Sequence, residues 1–298
     1  MKPTFTVSAV QQHCNQDRQT NLTISIEQIK RAAKAGADLV VLPELHLGPY
    51  FCQTQDTSQF DQAQSIPGPT TDCLQAVAKM HGIVIVSTIF EKRAPGICHN
   101  TAVVIDKDGS IAGKYRKMHI PDDPGFSEKY YFTPGDLGFK PIQTSLGKLG
   151  VLVCWDQWFP EAARLMALAG AELLIYPTAI GWDMKDTPEE RQRQLDAWIT
   201  IQRAHAVANG IPVIACNRIG FEAAPDALPD TDKGILFWGN SFIAGPQGEF
   251  LEVANDSEAK LLMYKLDRTR TQQVRQVWPY LRDRRVDQYG GLTQIYLD

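Results

Sequence analysis

The chain contains 298 residues, of which 44% are hydrophobic and 21% are charged, and its formal net charge is −4. These values exclude a disordered, collagen-like or low-complexity protein, and the mildly acidic balance argues against nucleic acid as a partner. No run of about 18 apolar residues suggests a membrane span, and the first residues resemble a strand rather than a signal peptide. We therefore expect a cytoplasmic protein that binds neither nucleic acid nor membranes.

Hydrophobic periodicity predicts alternating strands and helices along the chain. In the first half, the pattern predicts helices over 21–35 and 70–81, and strands over 4–10, 38–42, 83–90, 101–105 and 111–115. In the second half, it predicts helices over 160–169 and 188–209, a charged helix after the last strand, and strands over 141–145, 151–154, 172–176, 212–216, 237–244 and 261–266. A tight turn is predicted at Gly147-Lys148.

The order of these elements indicates the fold class. No linker, repeat or low-complexity tract interrupts the pattern, so we expect a single domain over residues 1–298. Hairpins mixed with strand–helix units predict an α/β fold in which two mixed sheets pack together with helices outside. The segment 117–140 is predicted as a long loop rich in Pro, Gly and aromatic residues. Loops of this length in compact domains tend to be functional.

Three predicted strands deliver a reactive side chain at or just beyond their ends. Glu44 follows the apolar run 39–42, Lys117 follows the strand over 111–115, and Cys154 ends the run 151–154. Ligands of α/β sheets bind beyond the carboxyl ends of the strands. A carboxylate, an ammonium group and a thiol brought together there could form a hydrolytic centre.

Cys154 is the best candidate nucleophile among six cysteines, none of which forms a C-x-x-C pair. We expect free thiols rather than disulfides. Cys154 lies at a strand-to-helix turn, where backbone N–H groups and the positive end of the helix would lower the thiol pKa. From spacing alone, a buried structural cysteine is the commoner interpretation.

The candidate charged residues also have two interpretations each. Glu44 could act as a general base, or it could be a helix N-cap or a surface residue. Lys117 could stabilise an oxyanion, or it could be a solvated loop lysine. Glu128, in the long loop, is a second candidate carboxylate or a surface acid.

No metal or cofactor is predicted. The histidines form no H-E-x-x-H motif and no ligand spacing with cysteine, so His119 and His205 are interpreted as structural. The glycines form no nucleotide-binding motif. Four aromatic residues could line a pocket or could belong to the core: Tyr50, Trp155, Trp158 and Trp182.

Taken together, these segments resemble the nitrilase superfamily of C–N hydrolases. The matching segments are LPEL at 42–45, YRKMHIP at 115–121 and CWDQWFPE at 154–161, with support from 216–220 and 239–243. Within that superfamily, the chain most resembles the N-carbamoylputrescine amidohydrolase branch, on the segments 49–53, 120–132 and 177–181.

The resemblance implies a four-layer α-β-β-α sandwich that is usually dimeric or larger and needs no cofactor or metal. It implies that Cys154 is the nucleophile, Glu44 the general base and Lys117 the oxyanion-stabilising lysine. It further implies that Glu128 positions Lys117 and the substrate, and that the Trp155 backbone N–H is the second oxyanion donor. The implied reaction converts N-carbamoylputrescine to putrescine, carbon dioxide and ammonia through a Cys thioester in polyamine synthesis.

The substrate's far end is expected to require an acid, because an unpaired buried ammonium group is costly. Asp122, Asp123 and Asp183 are available, and Tyr50 and Trp182 are expected beside them. Trp182-Asp183 stands where related chains often carry a small residue followed by Glu. A carbamoyl amino acid would instead require a basic residue, but the candidates Arg191 and Arg193 lie in a helix that is expected to be solvated, which favours the amine.

Several alternatives stay open at this point. One is a β-ureidopropionase-like amidase, and another is a catalytically silent binding or scaffold subunit. A third is a Cys–His hydrolase, for which His205 is the candidate base. The tail, about residues 277–298, is expected to pack against a partner subunit in a homodimer or larger homo-oligomer, or against its own chain.

Overall fold

The computed structural model describes residues 2–228 and 232–297. The helices in this part of the chain are α1 (Arg18–Lys34), α2 (Pro69–His81), α3 (Glu128–Tyr131), α4 (Pro160–Leu168), α5 (Pro188–Asn209) and α6 (Arg268–Val277). The strands are β1 (Thr4–Gln11), β2 (Leu39–Val41), β3 (Val84–Ala94), β4 (Ile97–Ile105), β5 (Ile111–Arg116), β6 (Ile142–Thr144), β7 (Gly147–Val151), β8 (Leu173–Thr178), β9 (Gly181–Asp183), β10 (Val213–Asn217), β11 (Ile219–Ala223), β12 (Gly234–Trp238), β13 (Phe242–Ala244), β14 (Phe250–Val253) and β15 (Lys260–Asp267). None of the described helices is long and apolar enough to cross a membrane.

Two six-stranded sheets form the centre of the molecule. The strand order is β15-β1-β2-β3-β4-β5 in the first sheet and β14-β13-β10-β8-β7-β6 in the second, and β11, β12 and β9 form a smaller sheet. Parallel pairs occupy the middle of each large sheet, and antiparallel pairs occupy the edges. The mixed sheets predicted from the sequence are therefore confirmed.

Alternation of side chains along the strands divides the molecule into layers. On β2, Leu39 and Val41 belong to the core cluster that also contains residues of the second sheet, whereas Val40 belongs to a cluster with Ile29 of α1 and Leu74 of α2. Helices α4 and α5 pack on the second sheet through buried residues such as Met166 and Trp198. The result is a four-layer α-β-β-α sandwich.

The helix predicted over 188–209 is confirmed with the same bounds, but two strand predictions and one turn prediction are wrong. The predicted strand 237–244 is two strands of different sheets, because Gly239 and Asn240 both adopt a positive φ between them. The turn predicted at Gly147-Lys148 lies at residues 145–146, and Gly147 begins β7. Because β7 ends at Val151 and a 3-10 turn begins at Cys154, the predicted strand over 151–154 is also wrong. The short strands β9, β11 and β14 had no predicted counterpart, and the predicted loop 117–140 contains α3.

The C-terminal tail is largely exposed in this chain. Residues after α6 form two short 3-10 turns, Val286–Gln288 and Gly290–Thr293. Trp278, Ile295 and Tyr296 expose much of their side chains. The final residue of the predicted interface segment, Asp298, lies outside the described residues.

Candidate active site

Four elements bring the candidate catalytic residues to one place between the two sheets. Glu44 follows β2 and Lys117 follows β5, both in the first sheet, whereas Cys154 lies three residues beyond β7 in the second. Glu128 begins α3. Glu44, Lys117 and Glu128 have no exposed surface, and Cys154 is 3% exposed. The structure therefore collects in its interior groups that are up to 110 positions apart in the sequence (154 − 44).

The Lys117 ammonium group is held between two carboxylates. Its Nζ donates to Glu44 Oε1 at 2.8 Å and to Glu128 Oε1 and Oε2 at 2.8 and 2.7 Å. Burial alone would lower the pKa of Lys117, but the charges of Glu128 and Glu44 raise it well above its usual value. Burial raises the pKa of Glu128 to about 7, against the lowering effect of Lys117. Lys117 is therefore a fixed positive charge in a dry environment.

The Glu44 carboxylate has one occupied and one free oxygen. Oε1 accepts hydrogen bonds from Lys117 and from Asn100 Nδ2, the latter at 2.6 Å. Oε2 is buried and has no partner among the described residues. Such an oxygen is costly to bury unless a further donor reaches it, and a thiol, a water molecule or a leaving nitrogen could be that donor.

Arg218 fixes the backbone that carries Glu44. Its Nη2 donates to the carbonyl oxygens of Glu44 and Leu45 at 2.6 and 2.9 Å, and its Nη1 donates to Gly48 O at 3.1 Å and to Glu222 Oε1 at 2.8 Å. Leu45 adopts a φ of 47°, a region that L-residues rarely occupy. The guanidinium group thus holds a sharp turn in place.

Cys154 begins a five-residue 3-10 turn, Cys154–Trp158, and has a φ of 44°. Its Sγ lies 3.9 Å from Ala179 O. The next backbone N–H, that of Trp155, has no acceptor in the described part of the chain. A buried thiol followed by a free backbone donor is the arrangement that an attack on a carbonyl group requires.

The expected lowering of the Cys154 pKa is wrong for this structure. Burial raises the pKa of the thiol well above its usual value, and the Glu44 carboxylate raises it further, whereas Lys117 lowers it. Helix α4, the next α-helix along the chain, begins only at Pro160, so Cys154 does not lie in its first turn. The thiol is therefore protonated at neutral pH and needs a base beside it.

A cavity of about 910 Å³ opens onto Cys154 and Trp155. Its apolar walls include Phe126, Ile180 and Trp238. Its charged lining residues are Asp123, Asp183, Asp186, Asp232, Lys185 and Lys233. Carboxylates therefore outnumber ammonium groups, and Lys233 already forms an ion pair with Asp226.

The structure separates the candidate substrate-binding residues. Asp183 lines the cavity, whereas Asp122 is exposed and does not. Trp182 lies behind the wall, where its ring packs edge-on against Trp238 and its Nε1 donates to a backbone carbonyl. Tyr50 is buried away from the cavity lining, and its hydroxyl donates to Glu128 Oε1 at 2.7 Å.

The two singled-out histidines form hydrogen bonds within the protein. His205 Nε2 lies 2.7 Å from the carbonyl oxygen of Gln157, and burial lowers its pKa. This contact directs that ring nitrogen to a backbone carbonyl rather than to Cys154. His119 Nδ1 lies 2.7 Å from Asp156 Oδ1. Among residues 2–228 and 232–297, no His, Cys, Asp and Glu side chains cluster as a metal site would require.

Several residues that shape the site were not predicted from the sequence. Asn100 lies inside β4 and has no local signal, since only the folded sheet brings it to Glu44. Arg218 belongs to the segment 216–220 that supported the family resemblance, but the segment did not indicate its contacts. Asp156 lies in the CWDQWFPE segment and was assigned no role.

The chain is similar to known proteins in both sequence and structure. Residues 6–276 match the family model described as carbon-nitrogen hydrolase. The chain is 45% identical to an N-carbamoylputrescine amidase of Solanum lycopersicum, over 97% of this chain and 95% of that protein. It is 41% identical to a citrullinase of Francisella tularensis, over 97% and 98% of the two chains. The crystal structure of a carbon-nitrogen hydrolase from Helicobacter pylori G27 superimposes with a TM-score of 0.94 at 50% identity, covering 99% of this chain and all of that chain.

Proposed function

This chain belongs to the carbon-nitrogen hydrolase family and is an amidase, and we propose that it hydrolyses N-carbamoylputrescine to putrescine, carbon dioxide and ammonia. The observation that carries this choice is the acidic lining of the cavity that opens onto Cys154. A carbamoylated diamine ends in an ammonium group, which such a lining attracts. The product would feed polyamine synthesis.

The basic residues near the cavity argue against a substrate that ends in a carboxylate. Arg191 and Arg193 do not line the cavity. Arg191 donates to the backbone carbonyl of Met184 at 3.0 Å, and Arg193 pairs with Glu190 on the surface. No arginine among the described residues lines the cavity to offer the two-pronged contact that best recognises a carboxylate.

The proposed reaction starts with proton transfer. Glu44 Oε2, the oxygen without a partner, takes the proton of the Cys154 thiol, and the thiolate attacks the ureido carbon. Lys117 and the Trp155 N–H stabilise the oxyanion, and Glu44 returns the proton to the leaving amine. The sulfur then carries a carbamoyl group.

Water completes the reaction. Glu44 removes a proton from a water molecule, which attacks the carbamoyl carbon. Glu44 then returns that proton to the departing sulfur, so that Cys154 is released as the thiol. The released carbamic acid breaks down to carbon dioxide and ammonia. Removal of one preorganised oxyanion donor typically raises the barrier by about 3 kcal/mol, and this site offers two donors.

The experiment is a comparison of kcat/KM for three ureido substrates, followed through ammonia release. N-carbamoylputrescine should be preferred over N-carbamoyl-β-alanine and over L-citrulline, which carries a carboxylate beside its ammonium group. A preference for N-carbamoyl-β-alanine would move the chain to the ureidopropionase-like alternative. A preference for citrulline would indicate that the acidic residues of the cavity bind an α-amino group.

Cys154→Ala supplies the matching test of mechanism. The variant should release no ammonia and should unfold at the same temperature as the unaltered chain, because the change removes only one buried sulfur atom. Ammonia release by the variant at an undiminished rate would show that another group is the nucleophile. A fully reactive Cys154 in a chain without turnover would instead favour a silent binding subunit.

A further inference from the structure

One buried carboxylate outside the cavity connects the two segments that carry Lys117 and Cys154. Asp156 has no exposed surface and does not line the cavity. Its Oδ2 accepts from the backbone N–H of Val153 at 2.9 Å and from the hydroxyl of Tyr115 at 2.8 Å. Its Oδ1 accepts from the backbone N–H of His119 at 3.0 Å and contacts the ring Nδ1 of the same residue.

The hydrogen-bond partners of Asp156 lie close in sequence to Lys117 and to Cys154. Tyr115 and His119 lie two positions before and two positions after Lys117, on the segment that leaves the first sheet. Val153 immediately precedes Cys154, on the segment that leaves the second sheet. A single carboxylate thus connects the two sheets at the point where the ammonium group and the thiol meet.

We propose that Asp156 is a positioning residue that sets the separation and direction of the two oxyanion donors, Lys117 Nζ and the Trp155 N–H. The inference rests on the roles proposed above for Lys117 and Cys154. Asp156 does not line the cavity, and its side chain forms no hydrogen bond with Cys154 Sγ in the described part of the chain, so in this proposal it acts through the backbone on either side.

The local backbone explains why such a residue is needed. Cys154 adopts a φ of 44°, which L-residues rarely occupy unless their surroundings hold them there. Two hydrogen bonds between Val153 and Asp156 close the turn around it: Val153 N–H to Asp156 Oδ2, and Asp156 N–H to Val153 O at 3.1 Å. The Trp155 N–H lies inside this closed turn, so its direction is fixed by the same two bonds.

The other half of the connection is equally constrained. Tyr115 is buried, and burial raises the pKa of its hydroxyl well above its usual value, with the Asp156 charge adding to the rise. The hydroxyl therefore stays protonated and donates. The His119 ring stacks on Phe159 with centroids 3.7 Å apart, which holds its Nδ1 against Asp156. Because displacement of either segment would leave the buried Asp156 carboxylate without a donor, the carboxylate keeps the two segments at a fixed separation.

Two tyrosine variants test the proposal as a matched pair. Tyr115→Phe deletes the hydroxyl that donates to Asp156. Tyr176→Phe deletes a hydroxyl that is equally buried and feels the Asp156 charge, but has no hydrogen-bond partner among the described residues. Tyr115→Phe should lower kcat by about ten-fold, the size expected of a hydrogen bond to a charged acceptor, with KM within about two-fold. Tyr176→Phe should leave both constants unchanged.

The split between kcat and KM separates positioning from general stability. Oxyanion donors act on the transition state, so misplacing them lowers kcat and leaves ground-state binding nearly intact. A merely structural hydroxyl would lower the unfolding temperature and leave kcat per folded molecule unchanged. Asp156→Asn should lower kcat further than Tyr115→Phe, since an amide cannot accept at both positions, and if Asp156→Asn fails to fold, the tyrosine pair decides.

The failures of the two proposals are distinguishable. If Cys154→Ala is inactive while Tyr115→Phe and Tyr176→Phe share the unaltered kcat, the positioning role is wrong and the proposed mechanism stands. If Cys154→Ala remains active, the proposed mechanism is wrong and the positioning role is overturned with it. A ten-fold loss confined to Tyr115→Phe, with Cys154→Ala inactive, supports both.

Discussion

Replacing Arg218 by methionine should destabilise the protein more than any surface substitution. The guanidinium group has no exposed surface and donates to three backbone carbonyls and to Glu222. Methionine fills a similar length but donates nothing. Glu222, which is 8% exposed, would then carry a charge without its cation, and the turn at Glu44 and Leu45 would lose the group that holds it.

The magnitude follows from the contacts. Removing one partner of a buried ion pair typically lowers the free energy of unfolding by about 3–5 kcal/mol, because the other charge stays buried and unpaired. We therefore expect Arg218→Met to lower the free energy of unfolding by about 4 kcal/mol. This is a large part of the roughly 5–15 kcal/mol by which an ordinary domain is stabilised in total. The double variant Arg218→Met with Glu222→Gln should recover part of this loss, since no unpaired charge remains.

Urea unfolding monitored by tryptophan fluorescence measures the difference, and Arg193→Met is the matched control. Arg193 pairs with Glu190 on α5 with 71% and 44% of their side chains exposed, and such pairs contribute about 0–1 kcal/mol. If Arg218→Met and Arg193→Met destabilise equally, the interpretation of Arg218 as the support of the Glu44 turn is wrong. In folded Arg218→Met, kcat should also fall, because Glu44 Oε2 loses its fixed direction.

Two further predictions concern charge. The pKa of Glu128 is raised from 4.5 to about 7, so its contribution to stability is full below pH 4.5 and is lost as the pH rises through 7. The difference in free energy of unfolding between the unaltered chain and Glu128→Gln, measured by urea unfolding over this range, should therefore fall with rising pH. A constant difference would contradict the raised pKa. Asp183→Asn should raise KM for N-carbamoylputrescine by about two- to five-fold, which corresponds to the free energy of an exposed ion pair. KM for N-butylurea, which carries no charge, should stay unchanged. Equal rises for both compounds would show that Asp183 does not contact the ammonium group.

The sequence predicted those parts of the fold whose signal is local. Helix α5 begins with Pro188 at its first position and ends before Gly210, which has a φ of 58°, so both ends were visible. The strand over 237–244 was predicted as continuous because its residues are apolar on both sides of the break. Only the backbone shows that Gly239 and Asn240 turn the chain from one sheet to another.

The candidate site likewise contains residues that a local sequence pattern predicts and residues that only tertiary contacts reveal. Glu44, Lys117 and Cys154 could be proposed from the sequence because each lies at or just beyond the end of a predicted strand, which is a pattern within a few residues. The pKa of Cys154 was predicted in the wrong direction, because burial and the Glu44 carboxylate, 110 positions away in the sequence (154 − 44), determine it. Asn100 reaches Glu44 only once the first sheet has formed, and Asp156 contacts Tyr115 only where the two sheets pack together.

The candidate catalytic residues follow strands of two different sheets, and this has a consequence for folding. A partly folded molecule in which either sheet has formed alone holds a thiol without its base, or a base and an ammonium group without the thiol. The proposed reaction therefore requires that both sheets have formed and have packed against each other. Ammonia release during refolding should accordingly lag behind the recovery of secondary structure.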